Sequence, residues 1–164
     1  IPPLTSDIVG LVTGCMYNIK INEGLLFDGV VGGEPWTGDT FAKGFKEVTR
    51  KPYLELDTWE RGKERRIASF KEPVRAHIAK VVVVQDTMLR PDVEPIEAIE
   101  DEKLVVTDVI VLDDYEYGGR EEFKKRGYNL HSVFTVSELF DFYVETGRMR
   151  PELRAAIHTN PIAV

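Results

Sequence analysis

Two short segments, each following a predicted strand, carry the residue types that bind anions. Residues 33–38 (GEPWTG) follow an apolar run that ends at Val31, and residues 85–92 (QDTMLRPD) follow a run of four valines. A segment that joins a strand to a helix presents backbone N–H groups and the positive end of the helix dipole to a ligand. The two segments therefore predict a site for a phosphate-type ligand.

Each of these features also has a purely structural explanation. Gln85 and Asp86 are either ligand groups or polar groups that end a strand, and the glycine-containing segment is either an anion-binding loop or a tight turn. The basic run 61–66 (RGKERR) is either a solvated turn or a loop that reaches a phosphate, and Trp36 is either a packing residue or a base-stacking one. We expect His131 to be structural, and no His, Asp or Glu cluster has the spacing of metal ligands.

The elements that must position these segments alternate between strands and helices. Strands are predicted over residues 25–31, 52–56, 80–84, 104–112 and 129–134, and helices over 6–12, 41–50, from 93 or 94 onward, over 119–126 and over 135–145. The valine run predicts a central strand that is buried on both faces. The order predicts an α/β fold, with a mostly parallel, twisted sheet and helices on both faces.

Several local signals predict how these elements begin and pack. Thr5 or Ser6 is the predicted N-cap of the first helix, and Asp92 that of the third, with Pro95 in its first turn. Phe41, Phe45 and Val48 lie on one face of the second helix, which predicts a buried face there. A loop is predicted over residues 87–92, a hairpin or mobile loop over 57–70, and the helix over 135–145 is predicted to be the last.

Length and charge exclude several functional classes. The 164 residues predict one domain, and the net charge of −7 argues against binding to nucleic acid or an anionic membrane surface. The chain has no apolar run long enough for a transmembrane helix and no visible signal peptide, so we expect a cytoplasmic protein. The one cysteine, Cys15, excludes an intrachain disulfide.

Three longer stretches resemble the type I phosphoribosyltransferases, and among them the orotate phosphoribosyltransferases. They are FDGVVGGEPWTGDTFAKGFKEVTRKPYLEL, KVVVVQDTMLRPDVEPIEAIE and VIVLDDYEYGGREEFKKRGYNLHSVFTVSELFDFYVETGRM. The resemblance covers residues 25–150 and implies that family's Rossmann-like core. It leaves residues 1–24 as an N-terminal segment, in which the small hood that covers the active site in that family is reduced. Residues 151–164 are left as a C-terminal tail.

The resemblance also implies a role for each candidate site residue. The residues of the implied pyrophosphate loop are Gly33, Glu34, Pro35, Trp36, Thr37 and Gly38. The residues that would bind the ribose and its phosphate are Gln85, Asp86, Thr87 and Arg90. Arg61 and Lys63 are the implied catalytic cations that cover the leaving group, and Asp114 lies on the base side. Mg²⁺ would arrive with phosphoribosyl pyrophosphate. The resemblance further implies a homodimer, for which the helix face of Phe41 and Phe45 is a candidate interface.

This sequence departs from the family pattern at several functional positions. Gln85 stands where the family has an acidic residue, and Pro91 and Asp92 lie in the phosphate loop. Leu56 and Trp59 occupy positions that are lysine in the family. Asp114 stands where the family has a base-recognising arginine. Asp114 suits an amine-bearing or cationic ligand better than orotate.

Two classes of function therefore remain open. One is an enzyme that transfers ribose-5-phosphate from phosphoribosyl pyrophosphate to a nitrogenous base. The other is a non-catalytic module that binds a nucleotide or metabolite, or a structural dimer partner, on the same scaffold.

Overall fold

The computed structural model describes residues 5–32, 38–55, 76–88 and 93–159 of the chain. The helices are α1 (Ser6–Asn22), α2 (Gly38–Thr49), α3 (Glu94–Asp101), α4 (Gly119–Lys125), α5 (Val136–Glu145) and α6 (Pro151–Thr159). The strands are β1 (Gly29–Gly32), β2 (Tyr53–Leu54), β3 (Lys80–Met88), β4 (Val105–Asp114) and β5 (Asn129–Thr135). None of the described helices is long and apolar enough to cross a membrane.

The five strands form one parallel sheet in the order β2-β1-β3-β4-β5. The valine-rich strand β3 pairs with β1 on one side and β4 on the other, so its predicted central position is confirmed. From β1 the chain moves one way to β2 and the other way to β3, β4 and β5, which places a topological switch point between β1 and β3.

Helices cover both faces of this sheet, as predicted for the fold class. On one face, Met16 of α1 and Phe41 and Phe45 of α2 pack on a layer that includes Val82 and Ile110. On the other face, side chains of α3 and α4 pack on alternate residues of the same strands: Ile96, Ile99 and Phe123 contact a layer that includes Val83 and Val109. Alternation along each strand therefore divides the core into two layers.

The first helix is longer than predicted. It begins at the predicted N-cap Thr5, whose hydroxyl accepts from the Ile8 N–H at 3.4 Å, and it runs to Asn22 instead of ending near residue 12. Gly10 and Gly14 each lower helix propensity by about 1 kcal/mol. The buried side chains of Val12 and Met16 supply the tertiary packing that offsets this cost.

Strand boundaries also differ from the predicted ones. The first strand is shorter, because residues 25–27 form an irregular connection and pairing begins at Gly29. The central strand is longer: Thr87 and Met88 pair with Asp113 and Asp114, so the first two residues of the loop predicted over 87–92 belong to β3, and residues 89–92 lie outside the described residues. Asp113 and Asp114, the last two residues of β4, supply the backbone partners for this continuation.

Three predictions about helices α2 and α3 need correction. Phe41 and Phe45 are fully buried within their own chain, so the expected dimer interface on this helix face is wrong. Val48, predicted to share that buried face, is 45% exposed, and the packed face ends at Phe45. The N-cap of α3 is Val93 and not Asp92, while Pro95 does lie in the first turn.

The C-terminal part of the chain contains one helix more than predicted. Helix α5 begins with a capping box, in which the Thr135 hydroxyl accepts from the Glu138 N–H and the Glu138 carboxylate accepts from the Thr135 N–H. Helix α6 follows it within the segment interpreted as a tail. The predicted hairpin or mobile loop over residues 57–70 lies outside the described residues.

Candidate functional site

The carboxyl ends of β1, β3 and β4 define the candidate site, because ligands of open parallel sheets bind at such an edge beside the switch point. Strand β1 ends at Gly32, β3 at Met88 and β4 at Asp114. Of the predicted site residues, Gly38 opens helix α2, and Gln85, Asp86, Thr87 and Asp114 lie at this edge. Gly33, Glu34, Pro35, Trp36, Thr37, Arg61, Lys63 and Arg90 lie outside the described residues.

Gln85 and Asp86 face opposite sides of the sheet. Gln85 is only 7% exposed, and it lies on the same face as Val83 and opposite Val111, among the residues covered by α3 and α4. Asp86, one residue later, is half-buried and points to the other face. The two side chains therefore do not act together on one side of the sheet, and of the two only Asp86 offers a carboxylate.

Thr87 joins two carboxylates on adjacent strands. Its N–H donates to Oδ1 of Asp86 at 2.9 Å, and its hydroxyl donates to the carboxylate of Asp113, its cross-strand partner in β4. Burial raises the pKa of Asp113, the negative charges of Asp86 and Asp114 raise it further, and the Thr87 hydroxyl opposes them. Asp113 was missed at the sequence level, because only the strand register reveals that it lies opposite Thr87.

Asp114 is buried and bonded within its own loop. It is 1% exposed, its Oδ2 lies 3.2 Å from Nη2 of Arg120, and its Oδ1 accepts from the Glu116 N–H at 2.9 Å. Arg120 also donates to the carbonyl of Leu130 at 2.6 Å and to the Ser132 hydroxyl at 3.2 Å. The base-side role of Asp114 stays a prediction, and in this geometry its carboxylate holds α4 and β5 against the end of β4.

The loop after β4 presents two tyrosine rings at the same edge. Tyr115 and Tyr117 are 37% and 41% exposed, with ring centroids 6.2 Å apart. Between them Glu116 has a left-handed φ of 61°, and its Oε2 accepts from the Ser137 N–H at 2.9 Å. A non-glycine residue in that region costs about 1–3 kcal/mol, so the surrounding bonds fix the loop. The Tyr-Glu-Tyr alternation after an apolar strand was the signal that could have identified these rings.

His131 lies away from this edge, near the amino end of the sheet. Its Nε2 is 3.1 Å from Oδ1 of Asp108, which also accepts from the Asn129 amide at 3.2 Å. Asp108 and His131 help to line a groove of about 600 Å³ along the edge strand β5. This geometry supports the structural explanation of His131.

The described part of the edge offers groups for a sugar and a planar ring. A fixed carboxylate accepts hydrogen bonds from vicinal hydroxyls, and exposed aromatic rings stack on flat ligands. Among the described residues no cluster of His, Cys, Asp or Glu could hold a metal ion by itself. Mg²⁺ brought by a phosphate ligand stays a prediction.

Short regions of the sequence match two curated enzymes. The chain is 50% identical over 44 residues to uridine 5'-monophosphate synthase from Bos taurus, which covers 27% of this chain and 9% of that protein. It is 31% identical over 74 residues to the bifunctional enzyme PyrF/PyrE from Nostoc, which covers 44% of this chain and 16% of that protein. The chain thus matches only a small part of these relatives' lengths, and no family model matches it.

Solved structures match over most of the chain. Leishmania donovani UMP synthase gives a TM-score of 0.73 at 19% identity, covering 93% of this chain and 32% of that one. Orotate phosphoribosyltransferase from Aeropyrum pernix gives 0.70 at 19% identity, covering 87% and 78%. The Mycobacterium tuberculosis orotate phosphoribosyltransferase in complex with 5-phospho-alpha-D-ribosyl 1-diphosphate gives 0.61 at 19% identity, covering 80% and 75%. The chain therefore has the fold of the type I phosphoribosyltransferases, the family of orotate phosphoribosyltransferase, and its resemblance to that family is confirmed.

Proposed function

We propose that this protein binds phosphoribosyl pyrophosphate at the carboxyl edge of β1 and β3 and transfers its ribose-5-phosphate to a nitrogenous base. The observation that carries the proposal is the position of Asp86. It lies half-buried at the end of the central strand, beside the switch point, with Oδ1 held by the Thr87 N–H. A solved protein of the same fold, at 19% identity, contains this sugar phosphate.

In this proposal, the chain acts mainly by positioning and charge. The Asp86 carboxylate accepts hydrogen bonds from the ribose hydroxyls. Backbone N–H groups within residues 33–38, among which Pro35 has none, bind the pyrophosphate that would bring Mg²⁺. As the bond from ribose C1 to the pyrophosphate oxygen breaks, a base nitrogen forms the new bond to C1 and the base loses a proton. Arg61, Lys63 and Arg90 balance the phosphate charges, because a developing oxocarbenium ion and a leaving anion need preorganised partners.

The base side of the edge fits an uncharged or amine-bearing base better than a carboxylate-bearing one. Tyr115 and Tyr117 offer ring faces, while Asp86 and Asp113 add negative charge to the same edge. Arg120, which follows this loop in α4, is bonded to Asp114 and two groups of β5. An anionic base would therefore meet repulsion there.

One observation favours the second candidate, a module that binds the ligand without transfer. The residue before Asp86 is an amide, and it is buried on the opposite face of the sheet. One carboxylate is enough to recognise a sugar, but less able to stabilise the positive charge that develops on ribose during transfer.

The first test is calorimetry of the whole chain with phosphoribosyl pyrophosphate and Mg²⁺. We expect saturable binding and an affinity loss of about 10- to 100-fold for Asp86→Asn, the range for a lost hydrogen bond to a charged group. Asp101→Asn, at an exposed position of α3, is the matched control and should bind like the wild type. Equal affinity of Asp86→Asn and wild type would remove the site assignment.

Pyrophosphate release with uracil, adenine and orotate then separates the two candidates. Turnover with at least one base supports transfer, with uracil or adenine expected to exceed orotate. Binding without release for any base supports the module instead.

A further inference from the structure

We infer that Glu116 is a positioning residue for the base. Its carboxylate fastens the tyrosine loop, residues 115–118 (YEYG), to the first turn of helix α5, and this attachment holds Tyr115 and Tyr117 in place on the base side. The inference rests on the proposed function, because it names what keeps the base side of that site in one arrangement.

The backbone conformation of Glu116 has a different origin from that of the other left-handed residues. Among the described residues other than glycine, Arg50, Lys103 and Glu116 have a left-handed φ. Arg50 and Lys103 follow the ends of helices α2 and α3, where a left-handed residue commonly terminates the helix. Glu116 follows a strand instead, so helix termination does not explain its φ of 61°. A strained residue of this kind persists where the surrounding contacts fix it.

Two hydrogen bonds hold Glu116 between two elements. Its backbone N–H donates to Oδ1 of Asp114, at the end of β4, at 2.9 Å. Its Oε2 accepts from the backbone N–H of Ser137, in α5, at 2.9 Å. Asp114 is itself buried and bonded to Arg120 at 3.2 Å, so it is a fixed point of attachment. Glu116 is therefore tied to β4 through its backbone and to α5 through its side chain.

The first turn of α5 is a suitable anchor for a carboxylate. The first N–H groups of a helix have no partners within the helix, and the helix dipole favours an anion there. The Thr135 hydroxyl accepts from the Glu138 N–H, and Glu116 accepts from the Ser137 N–H although it lies 21 residues earlier in the chain. Glu116 thus adds to the cap of a helix to which it does not belong, and the tyrosine loop and α5 share a hydrogen bond.

Tyr115 and Tyr117 flank Glu116 in the chain, so the direction of their rings depends on its backbone angles. The ring centroids lie 6.2 Å apart, with 38° between the ring planes. Without the bond to Ser137, residue 116 can leave its strained φ, and one ring then turns relative to the other. Asp86 lies on β3, outside this loop, and is held by Thr87. Loss of the Glu116 bond should therefore weaken binding of the base and not that of phosphoribosyl pyrophosphate.

The test compares Glu116→Ala with Glu116→Gln in the whole chain. Both variants keep a side chain at the strained position, but only the glutamine amide oxygen can accept from the Ser137 N–H. We expect Glu116→Ala to raise the KM for adenine or uracil at least about fivefold, the size of one lost hydrogen bond, and Glu116→Gln to stay within about twofold of the wild type. The KM for phosphoribosyl pyrophosphate should change less than about twofold in both variants.

Thr135→Ala separates positioning of the rings from simple capping of α5. It removes the cap hydroxyl of the same helix and leaves both partners of the bond between Glu116 and Ser137 in place. Like Glu116→Ala, it should lower the melting temperature, but it should leave the KM for the base unchanged. The inference is wrong if Thr135→Ala and Glu116→Ala raise that KM equally, if Glu116→Gln does not restore it, or if Glu116→Ala leaves it unchanged.

Binding measurements keep the failure of this inference distinct from that of the proposed function. If the wild type binds phosphoribosyl pyrophosphate without turnover, the same comparisons are made on the dissociation constant of adenine, measured by calorimetry with phosphoribosyl pyrophosphate present. A wild type that binds no phosphoribosyl pyrophosphate contradicts the proposed function and this inference with it. A wild type that binds phosphoribosyl pyrophosphate but neither adenine nor uracil contradicts the inference alone.

Discussion

Asp108 and Asp113 lie on the same strand, and their surroundings move their pKa values in opposite directions. Burial opposes ionisation of Asp108, but hydrogen bonds from Thr107, His131 and Asn129 and the charge of Lys80 outweigh it, so its pKa is lowered. Burial dominates at Asp113, and with the negative charges of Asp86 and Asp114 it outweighs hydrogen bonds from the Thr87 hydroxyl and the backbone, so the pKa of Asp113 is raised. The amino end of the sheet thus holds a stabilised anion, whereas the carboxyl edge holds a carboxylate that ionises less readily.

The first stability prediction concerns Asp108→Asn. The carboxylate accepts from donors on β4 and β5 and lies 3.6 Å from Nζ of Lys80 on β3, so it ties three strands together. We expect the free energy of unfolding at pH 7 to fall by about 1–3 kcal/mol, the range for hydrogen bonds to a charged group. Urea unfolding of the variant and the wild type measures this difference.

The pH dependence of that difference has a definite sign. A carboxyl whose pKa is lowered on folding stabilises the native state above its unfolded pKa, near 3.8, and this stabilisation is lost as the pH falls through the lower folded value. The difference in the free energy of unfolding between Asp108→Asn and the wild type should therefore become smaller below about pH 4. The control Asp101→Asn should have the same free energy of unfolding as the wild type at pH 7 and at pH 3. If Asp108→Asn differs from the wild type by the same amount at both pH values, this role of the charge is contradicted.

At the scale of elements, helix α1 and strand β3 show what sequence patterns can and cannot specify. The apolar run of β3 predicted its position and burial, because β-branched residues favour a strand and continuous apolarity requires cover on both faces. The same rules predicted the wrong C-terminal end for helix α1 and for strand β3. Glycines at positions 10 and 14 indicated a short helix, and the polar residues after Val84 indicated a loop. In both cases packing or pairing with another element, which local sequence does not contain, extended the structure.

Helix α2 crosses α1 at a position where only glycine fits. A Cβ at Gly44 would lie 2.6 Å from Cγ2 of Thr13 and 3.2 Å from Cγ1 of Val9. The Thr13 side chain cannot rotate freely, because its hydroxyl donates to the Val9 carbonyl at 2.8 Å. The close approach of the two helices therefore depends on the missing side chain.

We predict that Gly44→Ala destabilises the protein, although alanine is the better helix former. Overpacking costs about 1–3 kcal/mol, which exceeds the gain of about 1 kcal/mol in helix propensity. Thermal unfolding measures the net loss. Thr13→Ser removes the clashing methyl group and keeps the hydroxyl, so Thr13→Ser combined with Gly44→Ala should be more stable than Gly44→Ala alone. If the second substitution brings no recovery, the clash is not the cause.

At the scale of the whole molecule, the sequence predicted the architecture better than the site. The alternation of elements predicted the parallel sheet, and the two anion-binding segments were assigned to strand ends, where ligands of such sheets bind. Asp113 was missed, because its proximity to Asp86 follows from the register of β3 and β4 and not from any local motif. Tyr115 and Tyr117 were missed although they directly follow the apolar strand β4 in the sequence. The predicted interface on Phe41 and Phe45 failed for a related reason: helical periodicity identifies an apolar face but not what covers it.

The centre of the sheet is buried much more completely than helices α5 and α6. This difference predicts that the two regions also differ in local stability. Strands β3 and β4 form the buried centre, whereas α5 has no buried residue and contacts the edge strand β5 and helix α6. The contacts of this helical pair include the Thr135 capping box and an exposed bond from Arg154 to Asp141 at 2.9 Å. Such exposed ion pairs contribute less than about 1 kcal/mol.

We therefore expect α5 and α6 to open together without unfolding of the sheet. Native-state hydrogen exchange at low denaturant should give their amides an opening free energy at least about 2 kcal/mol below that of the β3 and β4 amides, as for other sub-global units. Helix α4 is the reference: it is shorter than α5, but its Phe123 is fully buried, so its amides should exchange with the sheet. Exchange of α5 and α6 at the free energy of β3 would mean that the helical pair is an integral part of one cooperative unit.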